Sequence, residues 1–312
     1  GAVSMPHPKR HHWVPRFYLE YFAIPEPKGA EPQVHVLHRS RGEDHIVGIH
    51  NVAVENHLYA PIDDAGLRDF STENKLAGLE DLLANIWPRL ATDFPDLNST
   101  PLRKGLSLFL ATLYLRHPAT YAHQRRSQAR LRVALDLAPR DERGLPDVKF
   151  LTVGKHVVPF DKEEWARHGP LKRTESHQLF ADMIRTEAKR LAKKLMKKRW
   201  SIVFLEEPLF VTSDNPFFVI NPELKPFQFL GPDSMSMFPL SPTRILCVDD
   251  LDEPANQYYP VSPDAAGMYN YLTWVNTDGY LISPRHISAV LGELLKVKQQ
   301  FEDDLGSQVA KG

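Results

Sequence analysis

The chain has 312 residues, 42% of them hydrophobic and 25% charged, which is typical of a globular protein with a large core. A single cysteine, Cys247, excludes an intrachain disulfide framework and suits a reducing compartment. With 38 basic and 39 acidic residues the net charge is close to zero, so any anion would be bound by a local cluster. No apolar run approaches the roughly 18–20 residues that span a bilayer, and no signal peptide is recognisable, so we predict a cytoplasmic protein outside the membrane.

The first predicted elements lie within the stretch HHWVPRFYLEYFA, residues 11–23. Pro15 biases Val14 towards an extended conformation and suits the first turn of a helix, so we expect 11–14 to be extended and 15–23 helical. Two β-rich runs in residues 33–50 flank a glycine-containing turn and predict a hairpin. Residues 52–60, VAVENHLYA, predict a further strand or a turn.

Helices are predicted for the middle of the chain. Leucine and isoleucine recur at helical spacing from Leu76 to Leu90, and Pro88 is expected to kink or divide that helix. Residues 99–117 predict a buried helix, residues 119–137 a basic helix, and residues 176–199 an amphipathic helix with a cationic face.

The last third changes to β-rich runs separated by prolines and polar turns. These runs are WSIVFLE, LFVTS, FFVIN, RILCVD and YNYLTWVN, and an amphipathic helix from Ile287 to Phe301 follows them. The order predicts an α+β fold in which a central helical layer packs against mostly antiparallel strands from the N- and C-terminal parts. We interpret residues 1–4 as an expression scar and 5–312 as a single α+β domain, with a subdivision into 5–72, 73–199 and 200–312.

Five stretches together resemble the domain-of-unknown-function family 4238, which is found mostly in microbes. They are HHWVPRFYLEYFA, VAVENHLY, LYLRHP, LFVTSDNPFF and FPLSP. The resemblance implies a His-x-x-Val-Pro motif and a Thr-Ser-Asp-Asn-Pro motif whose recurrent positions here are His11 or His12, Pro15, Arg116, and 214–216. His117 departs from the pattern, because a small or hydroxyl residue is commoner there. The family implies no activity.

The histidine pair is the first candidate site. In an extended segment neighbouring side chains point to opposite faces, so His11 and His12 should diverge and not share one metal ion. One histidine of the pair could serve as general base or metal ligand. The alternative is structural, with one imidazole bonded to a backbone carbonyl and the other facing solvent.

The Thr-Ser-Asp-Asn-Pro stretch supplies the second candidate. Asp214 and Asn215 should lie in a tight turn at strand ends, where they could orient a metal ion, a water molecule or a phosphate. The same residue types stabilise turns without any further function. Arg116 ends an apolar helix and needs an acidic partner or a bound anion, and Asp214 is the expected partner.

The third candidate is a cationic face on the helix near residues 185–199. Its residues are Lys189, Arg190, Lys193, Lys194, Lys197 and Lys198, with Glu187 as the single acid of that segment. Such a face binds nucleic acid or another polyanion, or is simply solvated.

Two classes of function follow from these candidates. The first is a hydrolase or phosphodiesterase acting on nucleic acid or a nucleotide, with His11 or His12, Asp214, Asn215 and Arg116 as its site. The second is a non-catalytic polyanion-binding protein in which the recurrent motifs are structural. A divalent metal suits the first class, whereas no nucleotide-cofactor motif occurs. The sequence leaves the oligomeric state open.

Overall fold

Eight α-helices and thirteen strands make up the described part of the chain, residues 10–26, 29–56, 71–153, 156–168, 176–220, 234–252 and 257–311 of a computed structural model. The helices are α1 (Arg16–Leu19), α2 (Ser71–Thr92), α3 (Thr100–Leu115), α4 (Pro118–Leu137), α5 (Lys162–His168), α6 (Ser176–Lys197), α7 (Ala266–Val275) and α8 (Ile287–Lys311). The strands are β1 (Arg10–His12), β2 (Gln33–His38), β3 (Asp44–Gly48), β4 (Val54–Asn56), β5 (Phe150–Val153), β6 (His156–Pro159), β7 (Arg199–Phe204), β8 (Thr212–Ser213), β9 (Phe218–Val219), β10 (Ser236–Ser241), β11 (Arg244–Asp249), β12 (Tyr258–Pro260) and β13 (Tyr280–Ser283).

One sheet joins the two ends of the chain. Its order is β3-β2-β13-β8, and every neighbouring pair is antiparallel. β2 and β3 form the predicted hairpin, and β2 also pairs with β13, so that Leu37 lies opposite Leu281. Strands from the N- and C-terminal parts therefore share one layer, and the predicted α+β fold is confirmed.

A second sheet is built from the last third of the chain alone. Its order is β12-β7-β11-β10-β9, and its pairs are antiparallel except that of β12 with β7. β10 and β11 are buried along their whole length, so their central residues are continuously apolar with no alternation, and polar residues stand only at the strand ends. Two short two-stranded sheets, β1-β4 and β5-β6, complete the described strands.

The helical layer lies against these sheets. α3 is apolar on most of its surface and packs against both α6 and α2. The ring of Trp87 on α2 contacts the rings of Phe109 on α3 and Phe238 on β10. α2 continues through Pro88, so the predicted division of this helix does not occur.

The N-terminal motif is extended and then briefly helical, as predicted. α1 is followed by a 3-10 turn at Glu20–Phe22, and Pro15 precedes the helix in an extended conformation. Tyr18 on α1 is fully buried, and its hydroxyl donates to the carbonyl oxygen of Pro239 while bonding Thr212 Oγ1. This side chain joins α1 to both large sheets.

The run YNYLTWVN was predicted to be a strand and is helical instead, as part of α7. Its buried positions are Ala266, Gly267, Asn270 and Thr273, which recur at helical spacing. These small and polar residues let α7 pack closely on α8, where a Cβ on Gly267 would come within 3.2 Å of Val297. Helix packing therefore overrides the β propensity of the aromatic residues.

Parts of some predictions lie outside the described residues. These are the interpretation of residues 1–4 as a scar and the end of the run at 57–60. Among the helices described, none has the length and apolar character required to cross a bilayer.

Candidate functional site

Asp214 lies directly after β8, where that strand ends against the turn between α7 and β13. Its Oδ1 accepts a hydrogen bond from the amide of Asp278 at 3.1 Å, and its Oδ2 accepts one from the amide of Gly279 at 2.8 Å. A Cβ on residue 279 would lie only 3.0 Å from Oδ2, so the close approach of this carboxylate favours glycine there. The carboxylate is buried, with a 2% exposed fraction.

Asn215 stabilises the same region through two hydrogen bonds. Its amide nitrogen donates to Ser213 Oγ at 3.0 Å, and its Nδ2 donates to the carbonyl oxygen of Asn276 at 2.9 Å. The predicted tight turn at strand ends is therefore present. The turn leads along the chain from β8 to β9, and the Asn215 side chain joins it to Asn276, which precedes β13.

His117 reaches Asp214 from the helical layer. It is the N-cap of α4, and its Nδ1 accepts a hydrogen bond from the amide of Ala119 at 3.0 Å. The side chain is 7% exposed, and its buried Nε2 makes no hydrogen bond of acceptable geometry. Because Nδ1 accepts a hydrogen bond, the proton of the neutral ring is assigned to Nε2.

Three ionisable side chains converge at this point. Donor atoms of His117, Asp214 and Asp278 all lie within 4.8 Å of one another. His117 and Asp278 line a cleft of about 570 Å³, a volume within the usual range for small-molecule sites, and the buried Asp214 lies directly behind them. The cleft is also lined by Arg39, Tyr114, Thr120, His123 and Asn215. Asp278 is exposed, so the cluster reaches solvent.

The environment moves two of these groups towards their neutral forms. The pKa of Asp214 is raised to about 6, chiefly by burial and also by the neighbouring Asp278 carboxylate, while hydrogen bonds to backbone groups oppose the shift. Burial also lowers the pKa of His117, whereas Asp278 and the backbone carbonyl of Asp214 act in the opposite direction. Oppositely shifted carboxyl and imidazole groups in one cleft are typical of functional sites.

The predicted histidine pair lies elsewhere. His11 is buried on β1, and its Nε2 is 2.9 Å from Glu73 Oε2 on α2. His12 is half-buried, its Nδ1 is 3.0 Å from the carbonyl oxygen of Val52, and burial lowers its pKa. The two side chains contact different elements, in agreement with the predicted divergence.

The motif does touch the cluster, through its tryptophan. Trp13 Nε1 donates to the carbonyl oxygen of Asp214 at 3.0 Å. The Trp13 ring also contacts the ring of His117 edge to face, with centroids 6.0 Å apart. Trp13 is thus the residue that connects HHWVP to Thr-Ser-Asp-Asn-Pro.

The prediction that Arg116 pairs with Asp214 is wrong. Arg116 Nη1 donates to Glu80 Oε1 on α2 at 2.5 Å, and its side chain is 1% exposed. Arg116 follows the last turn of α3 and packs under α2, whereas the oxygens of Asp214 are bonded to backbone amides of another layer.

The predicted polyanion-binding face is smaller than expected. Lys198 is buried and pairs with Asp250 at 2.5 Å, so it does not belong to the exposed face. Arg190 pairs with Glu187 on the same helix. The exposed lysines of α6 among the predicted set are Lys189, Lys193, Lys194 and Lys197.

Sequence reasoning missed His117 and Asp278 as site residues. His117 precedes Pro118, an N-cap and N1 pattern, and was noted only as a departure from the family pattern. Asp278-Gly279 is a turn signal, but it fell beside the run interpreted as a strand.

Comparison with known proteins identifies the family but no activity. No curated protein and no solved structure has significant similarity to the chain. The family described as "Protein of unknown function (DUF4238)" matches residues 10–286, which include every residue of the cleft cluster. The chain therefore belongs to the DUF4238 family.

Proposed function

We propose that this protein is a hydrolase that cleaves a phosphoester of a nucleotide or nucleic acid in the cleft at His117, Asp214 and Asp278. The observation that carries the proposal is the convergence of these three side chains within 4.8 Å beside a cleft open to solvent. The raised pKa of Asp214 and the lowered pKa of His117 support acid–base work near neutral pH.

The roles follow from the atoms that each residue offers. A carboxylate of the pair accepts the proton of a water molecule whose oxygen attacks phosphorus. The bond from phosphorus to the leaving oxygen breaks, and the leaving oxygen, which keeps the electron pair, takes up the proton from that carboxyl group. The Nε2–H of His117 donates to an oxygen of the phosphoryl group. Oriented donors of this kind stabilise developing negative charge.

An anionic substrate is favoured by the guanidinium of Arg39 at the cleft. Arg39 and His123 line it, and Arg39 Nη1 is held by the carbonyl oxygen of Thr277 at 2.6 Å. Arg39 therefore replaces Arg116 as the proposed charge-stabilising residue, and His117 replaces His11 or His12. Asp214 and Asn215 keep their proposed place in the site.

A substrate panel tests the proposal. Phosphomonoesters, phosphodiesters and nucleotides are offered to the wild-type chain with and without divalent metals, and then to His117→Ser and Asp278→Asn. Serine preserves the N-cap of α4 but removes the imidazole. We expect turnover of at least one phosphoester and a loss of roughly 10²-fold or more in each variant.

A matched variant controls for general effects on the fold. Asp264→Asn changes an exposed aspartate outside the cleft and should retain wild-type turnover. Equal activity in wild type, His117→Ser and Asp278→Asn, or no turnover of any phosphoester, would refute the proposed reaction.

Polyanion binding remains a second proposal because four lysines of α6 are exposed. Lys193→Gln combined with Lys194→Gln should weaken oligonucleotide binding and reduce its salt dependence, whereas Lys296→Gln on α8 should not. The absence of binding at low salt would remove this proposal. A cytoplasmic location also stays a proposal, supported by the single buried thiol of Cys247, whose pKa burial raises to about 12.

A further inference from the structure

We infer that Asp214 and Asp278 bind a divalent metal ion in this cleft, and that His117 donates a hydrogen bond to an oxygen carried by the ion without ligating the metal itself. The inference concerns the same cleft as the proposed reaction but does not depend on it, because ion binding is measured without substrate.

The spacing of the donors is suitable for an ion. Two ligands on opposite sides of a metal are separated by twice the bond length, which is roughly 4.6–5.2 Å for Ca²⁺ and roughly 4.0–4.2 Å for Mg²⁺. The donor atoms of this cluster lie within 4.8 Å of one another. The separations therefore do not exceed the distance that two ligands of an oxygen-preferring divalent cation can span.

The charge of Asp214 also favours a cation. The carboxylate is 2% exposed, and its hydrogen bonds come from the backbone amides of Asp278 and Gly279. No lysine or arginine within the described ranges forms an ion pair with it. A buried carboxylate beside a second carboxylate is costly unless a positive charge joins them, and a divalent ion bound by both would remove that cost.

The buried nitrogen of His117 is the independent observation that points to a ligand. Its Nε2 makes no hydrogen bond of acceptable geometry, although the side chain is only 7% exposed and belongs to the cluster whose ligand atoms lie within 4.8 Å of one another. The nearby carbonyl oxygen of Asp214, which raises the pKa of His117, already accepts a hydrogen bond from Trp13 Nε1. A buried donor without a partner is costly, so an acceptor brought by a ligand would satisfy it.

The hydrogen bond at Nδ1 decides what His117 does. A metal-ligating histidine usually donates its second ring N–H to an acceptor. Nδ1 of His117 instead accepts from the amide of Ala119, which leaves the proton of the neutral ring on Nε2. Coordination through Nε2 would require this N-cap bond to be lost. The geometry therefore assigns the ion to the two aspartates and a donor role to His117.

Titration of the full chain with MnCl₂ at neutral pH, followed by calorimetry, tests the ion site. We expect one ion per chain and an affinity loss of roughly tenfold or more in Asp278→Asn and in Asp214→Asn. Asp264→Asn should bind as the wild type does. Because Asp278 is exposed, its variant should keep the fold, which thermal unfolding checks. Absence of binding to Mn²⁺, Ca²⁺ and Mg²⁺ at millimolar concentration, or equal weakening in Asp264→Asn, would overturn the site.

Electron spin echo spectroscopy of the bound Mn²⁺ tests the role of His117. We expect no directly coordinated nitrogen, and an affinity for His117→Ser within about threefold of wild type, since serine keeps the N-cap. A coordinated ¹⁴N signal in wild type that disappears in His117→Ser would make His117 a ligand and refute the donor assignment. If the protein binds Mn²⁺ but turns over no substrate of the panel, the proposed reaction is refuted and the ion site is not.

Discussion

At the scale of single residues, the partner of each charged side chain determines its role. Arg116 and His11 are both buried, and both meet a glutamate of α2, Glu80 and Glu73 respectively. The carboxylate of Asp214 accepts hydrogen bonds from two backbone amides and stands beside the carboxylate of Asp278. Arg116 and His11 therefore stabilise the packing of the layers, whereas the Asp214 carboxylate is available for binding or catalysis.

The Arg116–Glu80 pair should contribute to stability through its coupling. Arg116→Met leaves Glu80 without its cation partner, and we expect the free energy of unfolding to fall by about 3 kcal/mol. Adding Glu80→Gln should recover part of that loss, because the unpaired charge is removed. Urea denaturation of both single variants and the double variant measures the coupling. Arg126→Met, at an exposed position of α4, is the control, and strictly additive losses would contradict the pairing.

The raised pKa of Asp214 predicts a pH dependence of stability. Its carboxyl group has a pKa of about 6 in the folded chain and 3.8 ordinarily, so between these values the folded state binds more protons than the unfolded state. Stability contributed by the protonated group is present below about pH 4 and is lost as pH rises to about 6. Between these two pH values the unfolding free energy of the wild type should fall by roughly 3 kcal/mol at most because of this group. Asp214→Asn should remove that pH dependence.

Denaturation of wild type and Asp214→Asn in the presence of a chelator, from pH 4 to pH 7, measures this contribution. We expect the difference in unfolding free energy to shift in favour of the variant as pH rises. Curves that run parallel across the whole range would contradict the shifted pKa.

At the scale of elements, the residues of the site lie just beyond the ends of three elements, β8, α3 and α7. β8 ends at Ser213, α3 gives way to α4 at His117, and the turn after α7 carries Asp278 into β13. Trp13, which follows β1, bonds the backbone of Asp214 and contacts His117. Elements that are distant in the sequence therefore position the side chains of this cluster.

The turn at Gly279 should be intolerant of a side chain. In Gly279→Ala the new Cβ would lie 3.0 Å from Asp214 Oδ2, and the turn or the carboxylate must move. We expect a loss of about 1–3 kcal/mol in unfolding free energy and weaker Mn²⁺ binding. The matched variant Gly78→Ala has open space on the exposed surface of α2 and should be stabilised by up to about 1 kcal/mol. Equal stability of the two variants would show that residue 279 is not constrained.

At the scale of the whole molecule, the sheet β3-β2-β13-β8 links distant parts of the sequence. The hairpin of β2 and β3 lies between residues 33 and 48, and its neighbour β13 begins at Tyr280. The described strands of the five-stranded sheet, by contrast, all lie from Arg199 onward. The predicted subdivision at about residue 200 therefore cuts the first sheet but not the second.

A fragment that ends at residue 199 should not form the native N-terminal sheet. Without β13 the hairpin has no third strand, and an isolated two-stranded hairpin is only marginally stable in water. We expect the fragment 5–199 to lose protection of β2 amides against hydrogen exchange, compared with the full chain. Retained protection at Val34 and Val36 would show that the N-terminal part folds independently.

The sequence predicted most of the helices and the β2–β3 hairpin, because those patterns depend on residues close together in the chain. α6, α4 and α8 were found from apolar periodicity and proline boundaries. The helical run of α7 was missed because its buried face consists of small and polar residues, which carry little hydrophobic periodicity. Asp214 and Asn215 were correctly expected in a turn at strand ends, since that turn is local.

By itself, the sequence determined the α+β class, the family and the divergence of His11 and His12, because local periodicity, motif order and strand geometry encode them. Only the tertiary structure decided which histidine meets Asp214. That histidine is His117, because β8 pairs with β13 and the start of α4 packs over the resulting turn, while α2 supplies the glutamates that engage His11 and Arg116. Such long-range pairings depend on how layers pack, which no short stretch of sequence specifies.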